Sequence, residues 1–384
     1  MKKNCFDYIV CGGGASGLML TQRLLSDPYF KDKQLLLLEK EVKTHNDRTW
    51  CYWETPGGAY DDLLFQQWPL GTFKASNYKT DFEFKPLTYK MLRSAPFYQK
   101  MYTALEAAPN CSLVRENIQK IESYAEKVVV TTSNQTFEGQ QAFSSLFDPK
   151  VLLQQKRYPV LQQHFLGWFV ETKEALFDVN RITFMDFAIP QQGNTRFLYV
   201  LPFSANKALI EYTLFSKEVL TTAQYEEGLQ DYLKQLGATS YKIIEKEQGT
   251  IPMCSYPMQQ HNKKRLLHIG TAGGWTKAST GYTFKNTDLK TQALVAFLKT
   301  KKPLHHFQKK NRFWVYDLLF LDVLSAHNAK GSALFSRLFE KNNPYLLFRF
   351  LSEQTNFWEE LKIMSSFRLP QIALFVKALL KRLF

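Results

Sequence analysis

Pairings that would hold a metal or a disulfide framework are missing from this chain of 384 residues. Its five cysteines (Cys5, Cys11, Cys51, Cys111 and Cys254) are scattered and form no C-x-x-C pair. That excludes a cysteine zinc site or a disulfide scaffold and suits a reducing compartment. No two of the seven histidines stand in H-x-x-x-H spacing, and the adjacent His305 and His306 read as a solvated pair, so no metal is expected. No stretch approaches the roughly 18–20 apolar residues that span a bilayer. The N-terminal lysines lead through a short apolar run straight into glycines, which reads as a strand and not as a signal peptide. The expected location is the cytoplasm or its membrane face. Despite a net charge of +14, no nucleic-acid reader motif is recognisable, and no nucleic-acid partner is expected. Internal repeats and low-complexity linkers are also absent, so the lobes should interleave.

What is present begins at Phe6. Residues 6–17 read F-D-Y-I-V-C-G-G-G-A-S-G, an apolar run breaking into glycines where a strand should turn into a helix. Gly12, Gly14 and Gly17 fit G-x-G-x-x-G. The first permits a tight turn, the second lets the backbone (with Ala15 beside it) approach a pyrophosphate, and the third lets helix and strand pack closely. A second apolar run, 34–38, ends on Glu39, at the strand tip where a ribose 2′-hydroxyl finds its partner. A dinucleotide, FAD or NAD(P), is therefore expected. Late in the chain, an apolar strand over 266–270 opens a second glycine turn, H-I-G-T-A-G-G, with Gly270, Gly273 and Gly274. Alone, such a turn can merely close a loop. Paired with the first, it suits the far end of FAD crossing a helix N-terminus, and FAD is the better fit.

The length calls for two or three lobes with ample core. Periodicity predicts helices over 18–25, 87–107 and 225–236, a small strand pair within 112–132, and a return to the first sheet at 145–148. Alternating segments 181–189, 195–203 and 207–215, separated by short turns, predict an antiparallel meander; helices dominate from 288 on. The expected architecture is α/β. A Rossmann-type FAD-binding domain (1–148 and 249–300) interleaves with an antiparallel-sheet substrate domain (149–248) and a helical C-terminal region (301–384), as in FAD-dependent hydroxylases. Aromatics make up 15% of the chain, with 31 Phe, and either fill a large core or line a pocket for a long apolar ligand. Residues 301–384 carry 14 Lys/Arg against six Asp/Glu. The terminal 371–384 puts Lys377, Lys381 and Arg382 on one helical face with apolar residues over the rest. Such a helix suits either an anionic membrane interface or packing between domains.

The stretches D-Y-I-V-C-G-G-G-A-S-G-L, N-D-R-T-W-C-Y-W-E, M-D-F, F-L-Y-V-L-P-F-S, L-I-E-Y-T and A-S-T-G-Y-T-F span residues 7–284. Together they resemble the bacterial lycopene cyclase family, and R-F-W-V-Y-D-L-L-F extends the likeness into the C-terminal helices. The resemblance implies a non-covalent FAD, active in reduced form with NAD(P)H as reductant, and a carotenoid substrate whose linear ψ-ends close to β-rings without net redox change. The basic, apolar terminal helix adds the expectation of peripheral association with the membrane. The resemblance assigns Arg48 to the cofactor and brings Trp50 and Trp53 toward the flavin or polyene. The chain departs from related patterns at Thr271, where an acidic residue often follows the first glycine of the second turn, and at Ala278-Ser279, where proline is usual.

Ring closure needs an acid, an electron-rich surface for a carbocation, and exclusion of water. Glu211 lies in A-L-I-E-Y-T-L-F. Strand alternation puts it on one face with Leu209, Thr213 and Phe215, opposite Ile210, Tyr212 and Leu214. On a buried face, desolvation would keep its carboxyl protonated and able to donate; on an edge it would be an ordinary solvated glutamate. Asp186, mid-strand in M-D-F, is either a structural hydrogen-bond acceptor or a second site carboxylate. Other functions compatible with the glycine turns are a flavin-dependent lipid oxidoreductase, such as an epoxidase or prenyl reductase, and a non-catalytic prenyl or lipid carrier.

Overall fold

A computed structural model describes residues 5–383; residues 1–4 and Phe384, the ends of the expected first domain and of the terminal segment, lie outside it. The chain opens with β1 (Cys5–Cys11), α1 (Ala15–Ser26) and β2 (Leu35–Leu38). It then runs through β3 (Thr49–Glu54), β4 (Leu64–Trp68), β5 (Leu70–Ala75), β6 (Tyr78–Glu83) and β7 (Thr88–Arg93) to α2 (Ser94–Glu106). Next come β8 (Cys111–Val114), β9 (Ile118–Ser123), β10 (Val128–Thr132), β11 (Thr136–Ser144) and the single turn α3 (Lys150–Leu153). The strands β12 (Leu161–Thr172), β13 (Arg181–Asp186), β14 (Thr195–Ser204) and β15 (Lys207–Ser216) precede α4 (Thr222–Gln235), β16 (Tyr241–Met253) and β17 (Leu266–His268). Helices finish the chain: α5 (Phe284–Leu298), α6 (Arg312–Ala326), α7 (Gly331–Lys341), α8 (Pro344–Leu351), α9 (Phe357–Ser365) and α10 (Leu369–Leu383).

The apolar β1 and β2 form the centre of a sheet ordered β8-β2-β1-β11-β10-β9, with β17 added beside β11. Its β8, β2, β1, β11 and β17 run parallel, as buried α/β sheets do. Helices α1, α2 and α5 cover one face through Leu18, Leu20, Phe97, Met101 and Leu294. A second sheet is ordered β16-β12-β15-β14-β13-β5-β6 and is antiparallel except where β13 meets β5. Alternation along β15 falls as the sequence suggests. Leu209 and Phe215 join an aromatic core under the C-terminal helices, whereas Ile210, Tyr212 and Leu214 pack beneath α4. A small sheet, β3-β7-β4, bridges the two.

Three expectations change. The helix predicted over 87–107 begins only at Ser94, because Thr88–Arg93 is a strand held between β3 and β4; tertiary pairing overrides the local pattern. The return to the first sheet is made by Thr136–Ser144, and Ser145 adds one further backbone bond to Cys11 O before the chain leaves. Residues 70–83, expected in the FAD-binding domain, join the antiparallel sheet as β5 and β6, and β16 carries that sheet on to Met253.

Candidate active site

The first glycine turn forms as its sequence demands. Gly12 takes φ +104°, and a Cβ there would meet Ser145 Oγ at 2.2 Å. Gly17 lies so close to the preceding turn that a Cβ would sit 2.0 Å from Gly12 O. Gly14 is the N-cap of α1 and offers no capping side chain, and nothing lies within 4 Å of where its Cβ would stand. The first turn of α1 therefore presents backbone N–H groups to the cavity, an arrangement that favours an anion such as a pyrophosphate. Glu39 is buried at the end of β2, where its Oε2 accepts the Gly13 N–H at 2.6 Å. The second turn closes on the first: Gly270, φ +60°, packs against Ser16. Gly273 is pinned by His268 O, and Gly274 is left-handed at φ +69°. These two shape the turn, while Gly270 and Thr271 reach the cavity. The helix N-terminus expected directly after this turn is only a four-residue 3-10 turn, and α5 starts later, at Phe284. The intervening loop is tied down instead. Lys277 Nζ lies 3.0 Å from Asp317 Oδ2 on α6, and Ser279 donates to Asp317 Oδ1 at 2.8 Å.

The cavity beyond the cradle measures about 1490 Å³ and runs from Gly14–Ser16 to side chains of α6, α7, α9 and α10. That exceeds the 300–1,000 Å³ of an ordinary small-molecule pocket. Most of its wall is apolar or aromatic, with Tyr89, Phe184, Phe197, Tyr199, Tyr282 and Phe335 among the lining residues. Arg48 is exposed at its rim, its guanidinium donating to Asp47 O at 2.6 Å. Trp50 also lines it and packs on Phe284 with ring centroids 4.9 Å apart.

Glu211 projects into this cavity from β15 and accepts the Thr213 hydroxyl at 2.5 Å. Burial, and secondarily the charge of Glu247, push its carboxyl up to about 8, so that it keeps its proton at neutral pH. Tyr199 stands opposite it on β14. Tyr282 reaches the same region because Gly281, at φ +74°, passes tightly by Gln163. Tyr199 donates to Tyr89 at 2.5 Å, and burial raises both phenols far above their ordinary range. Glu247, on β16, is the site carboxylate that the sequence did not disclose. It lines the same cavity and accepts the Thr49 hydroxyl at 2.6 Å.

Gly12, Gly17, Glu39, Gly273 and Gly274 stand behind the cavity wall, and two candidates for the substrate side, Asp186 and Trp53, also fall outside it. Asp186 is buried behind the sheet and accepts Tyr232 OH at 2.9 Å and the Ala188 N–H at 3.0 Å, with Lys74 at 3.3 Å. These contacts fit the structural one of its two readings. Trp53, expected near flavin or polyene, is packed among Tyr282, Phe348 and Phe184 with its indole N–H on Ser352. It is a core residue because the strand's alternation turns it away from Trp50's side.

The fold is that of the flavoprotein oxidoreductases. One solved structure, a geranylgeranyl bacteriochlorophyll reductase-like protein from Thermoplasma acidophilum, superposes with a TM-score of 0.62 at 11% identity, covering 96% of this chain and 97% of its own. The family model "Lycopene cyclase protein" matches residues 7–379, and the chain belongs to the lycopene cyclase family. Curated relatives include a chloroplastic neoxanthin synthase of Solanum tuberosum, 24% identical over 339 residues, which is 80% of this chain and 64% of that protein. A chloroplastic lycopene beta cyclase of Solanum lycopersicum is 30% identical over 154 residues, 37% of this chain and 30% of that protein. The chain thus spans less than two thirds of the length of these relatives.

Proposed function

We propose that this protein is a lycopene β-cyclase that binds FAD and closes ψ-ends to β-rings by proton transfer. The observation that carries the proposal is a buried carboxyl, Glu211, raised by that burial and set in the wall of a large apolar cavity that also opens onto a dinucleotide cradle. The cradle fits FAD. The uncapped first turn of α1 and the open position beside Gly14 suit the pyrophosphate, and Arg48 with Gly270–Thr271 the remainder; Glu39, held at the tip of β2 by the Gly13 and Glu41 N–H groups, would take the ribose with its remaining lone pairs. When bound and reduced, with NAD(P)H as the electron source, FAD supplies electron density beside the substrate.

The chain's own residues then account for the proton. Glu211 donates to the terminal C=C, forming a C–H bond and leaving a tertiary carbocation. The second double bond attacks it, and a ring proton returns to a carboxylate as the new C=C forms. Electrons and atoms balance without an oxidant. The aromatic faces of Tyr89, Phe184, Tyr199 and Tyr282 support the positive charge, and the apolar lining excludes the water that would trap it. Coexpression in lycopene-accumulating cells tests the proposal. γ- or β-carotene, isomeric with lycopene, is the expected product; oxygenated or reduced product with stoichiometric NAD(P)H consumption would instead make it a lipid oxidoreductase.

The membrane surface enters through α10. Leu369, Val376, Leu379, Leu380 and Leu383 are exposed on this helix, beside exposed Lys377 and Lys381. Val376 and Leu379 also line the cavity. Arg382, expected on the same basic face, turns inward to Asp322 at 2.5 Å. No helix among the described residues is long and apolar enough to cross a membrane. In this reading α10 lies in the interface, and deleting 371–384 weakens co-sedimentation with anionic vesicles; unchanged partitioning refutes the anchor.

A further inference from the structure

We propose that Glu247 is a positioning residue for the acid: with Glu211 it forms a pair of carboxyls that flank Gly167 and together hold one proton, Glu247 being the ionised member. The inference rests on the cyclase reading for its chemical purpose, though not for its electrostatics.

Gly167 of β12 is the shared neighbour. It pairs with Glu211 of β15 on one side and with Glu247 of β16 on the other. Strands two apart in a sheet stand about 10 Å apart, too far for two carboxyls to interact strongly across an ordinary side chain. Here the intervening residue has none. Glu247 leans into that space, its Cγ 3.1 Å and its Oε1 3.5 Å from where a Cβ of residue 167 would be, while Leu209 closes the gap to 2.9 Å. The glycine is what lets both carboxyls enter one cavity from a single sheet face.

Their surroundings differ, which decides where the charge rests. Glu211 is met by the Thr213 hydroxyl and, nearby, by Tyr199, Tyr282 and Cys51, whose own protons are held tightly by burial. Glu247 is met by the Thr49 hydroxyl and by the field of Arg93, which is itself bonded to Glu245 at 2.5 Å and stacked over Phe169 at 4.5 Å. Burial raises both carboxyls. Thr49 and Arg93 pull Glu247 part of the way back down against burial and the charge of Glu245, whereas Glu211 has only the Thr213 hydroxyl to lower it and is pushed further up by the charge on Glu247. An anion beside Arg93 and a neutral acid beside the tyrosines is the arrangement these partners favour. Through the cycle Glu247 stays charged: Glu211 gives its proton to the polyene and recovers the ring proton, while the fixed negative charge reloads the acid and attracts the carbocation.

Infrared titration of the FAD-loaded full chain reads this without relying on turnover. The wild-type spectrum should contain a protonated-carboxyl band that disappears with a midpoint near pH 8 and is missing in Glu211→Gln. Glu247→Gln keeps an acceptor for Thr49 and should move that midpoint down by about 1–2 pH units. Glu247→Asp should restore most of the shift, and the alkaline limb of cyclisation should follow the same order. A midpoint unmoved in Glu247→Gln overturns the proposal, because a merely structural glutamate leaves Glu211 where it was. If the midpoint moves yet no variant, nor the wild type, forms rings, the carboxyl pair stands and the cyclase reading falls.

Discussion

At one end of the cavity the binding surface is backbone. Gly12, Gly14, Gly17 and the first turn of α1 lie within a few residues of one another, and what matters is how closely the main chain approaches and which N–H groups it presents. At the other end the surface is side chain. Thr49, Gly167, Glu211, Glu247 and Tyr282 come from five separate segments, brought together by strand register and one tight loop. The cradle works by exposing dipoles that want an anion. The carboxylate end works by withholding water from an acid that would otherwise ionise. One region is built to attract charge, and the other to postpone it.

Substitutions can separate the two ends. The largest effect should come from Glu211→Gln, which should lower cyclisation by about 10³-fold while flavin absorbance stays at the wild-type level; equal loss of flavin would show that the two ends are not independent. Gly17→Val, whose Cβ must displace Gly12 O, should lower bound flavin by about tenfold or more, measured as the flavin-to-protein absorbance ratio. The pH dependence follows from the protonation of Glu211. Its carboxyl is raised to about 8, so activity is present below that pH and should fall by about tenfold per unit above it. Flavin affinity should not follow the same curve. Stability should also fall with rising pH, but over a lower window than activity. Between the ordinary carboxyl range and pH 8 the folded chain holds a proton that the unfolded chain has released, so Glu211 costs stability as pH rises through that window. Glu211→Gln should accordingly raise the unfolding free energy at pH 8 by about 1–3 kcal/mol, read from denaturant midpoints. The smallest effect belongs to Trp53→Phe, which loses the bond to Ser352. It should cost about 1 kcal/mol of stability and leave the rate within about twofold.

The same contrast explains how much was legible in the sequence. A backbone site is written contiguously, so the glycine turns and Glu39 could be read directly, as could the meander and the facing of Glu211 along β15. Glu247 lies in a strand crowded with charges, E-K-E-Q-G, and nothing local distinguishes it from its solvated neighbours. Only the pairing of β12 with both β15 and β16 does so. A glycine in the middle of an otherwise regular strand was the available signal, since such a gap often marks a close approach. Asp186 stayed ambiguous and Trp53 was misplaced for the converse reason: each sits in a motif-like stretch, but alternation and packing turn each away from the cavity. The β7 strand was missed because its apolar content suits a helix until β3 and β4 flank it.

The hairpin of β5 and β6 has a consequence for inheritance. It leaves the nucleotide-binding half early in the chain and completes the far edge of the other sheet, beyond β13. The substrate layer is therefore not an insertion with two ends but two excursions, 49–93 and 161–253, that must fit each other before either fits a ligand. A recombination or graft that exchanged only the later excursion would keep the old hairpin against a foreign β13. New substrate preferences in this architecture should consequently arise by drift of individual wall residues, because whole-lobe exchange would require two coordinated crossovers.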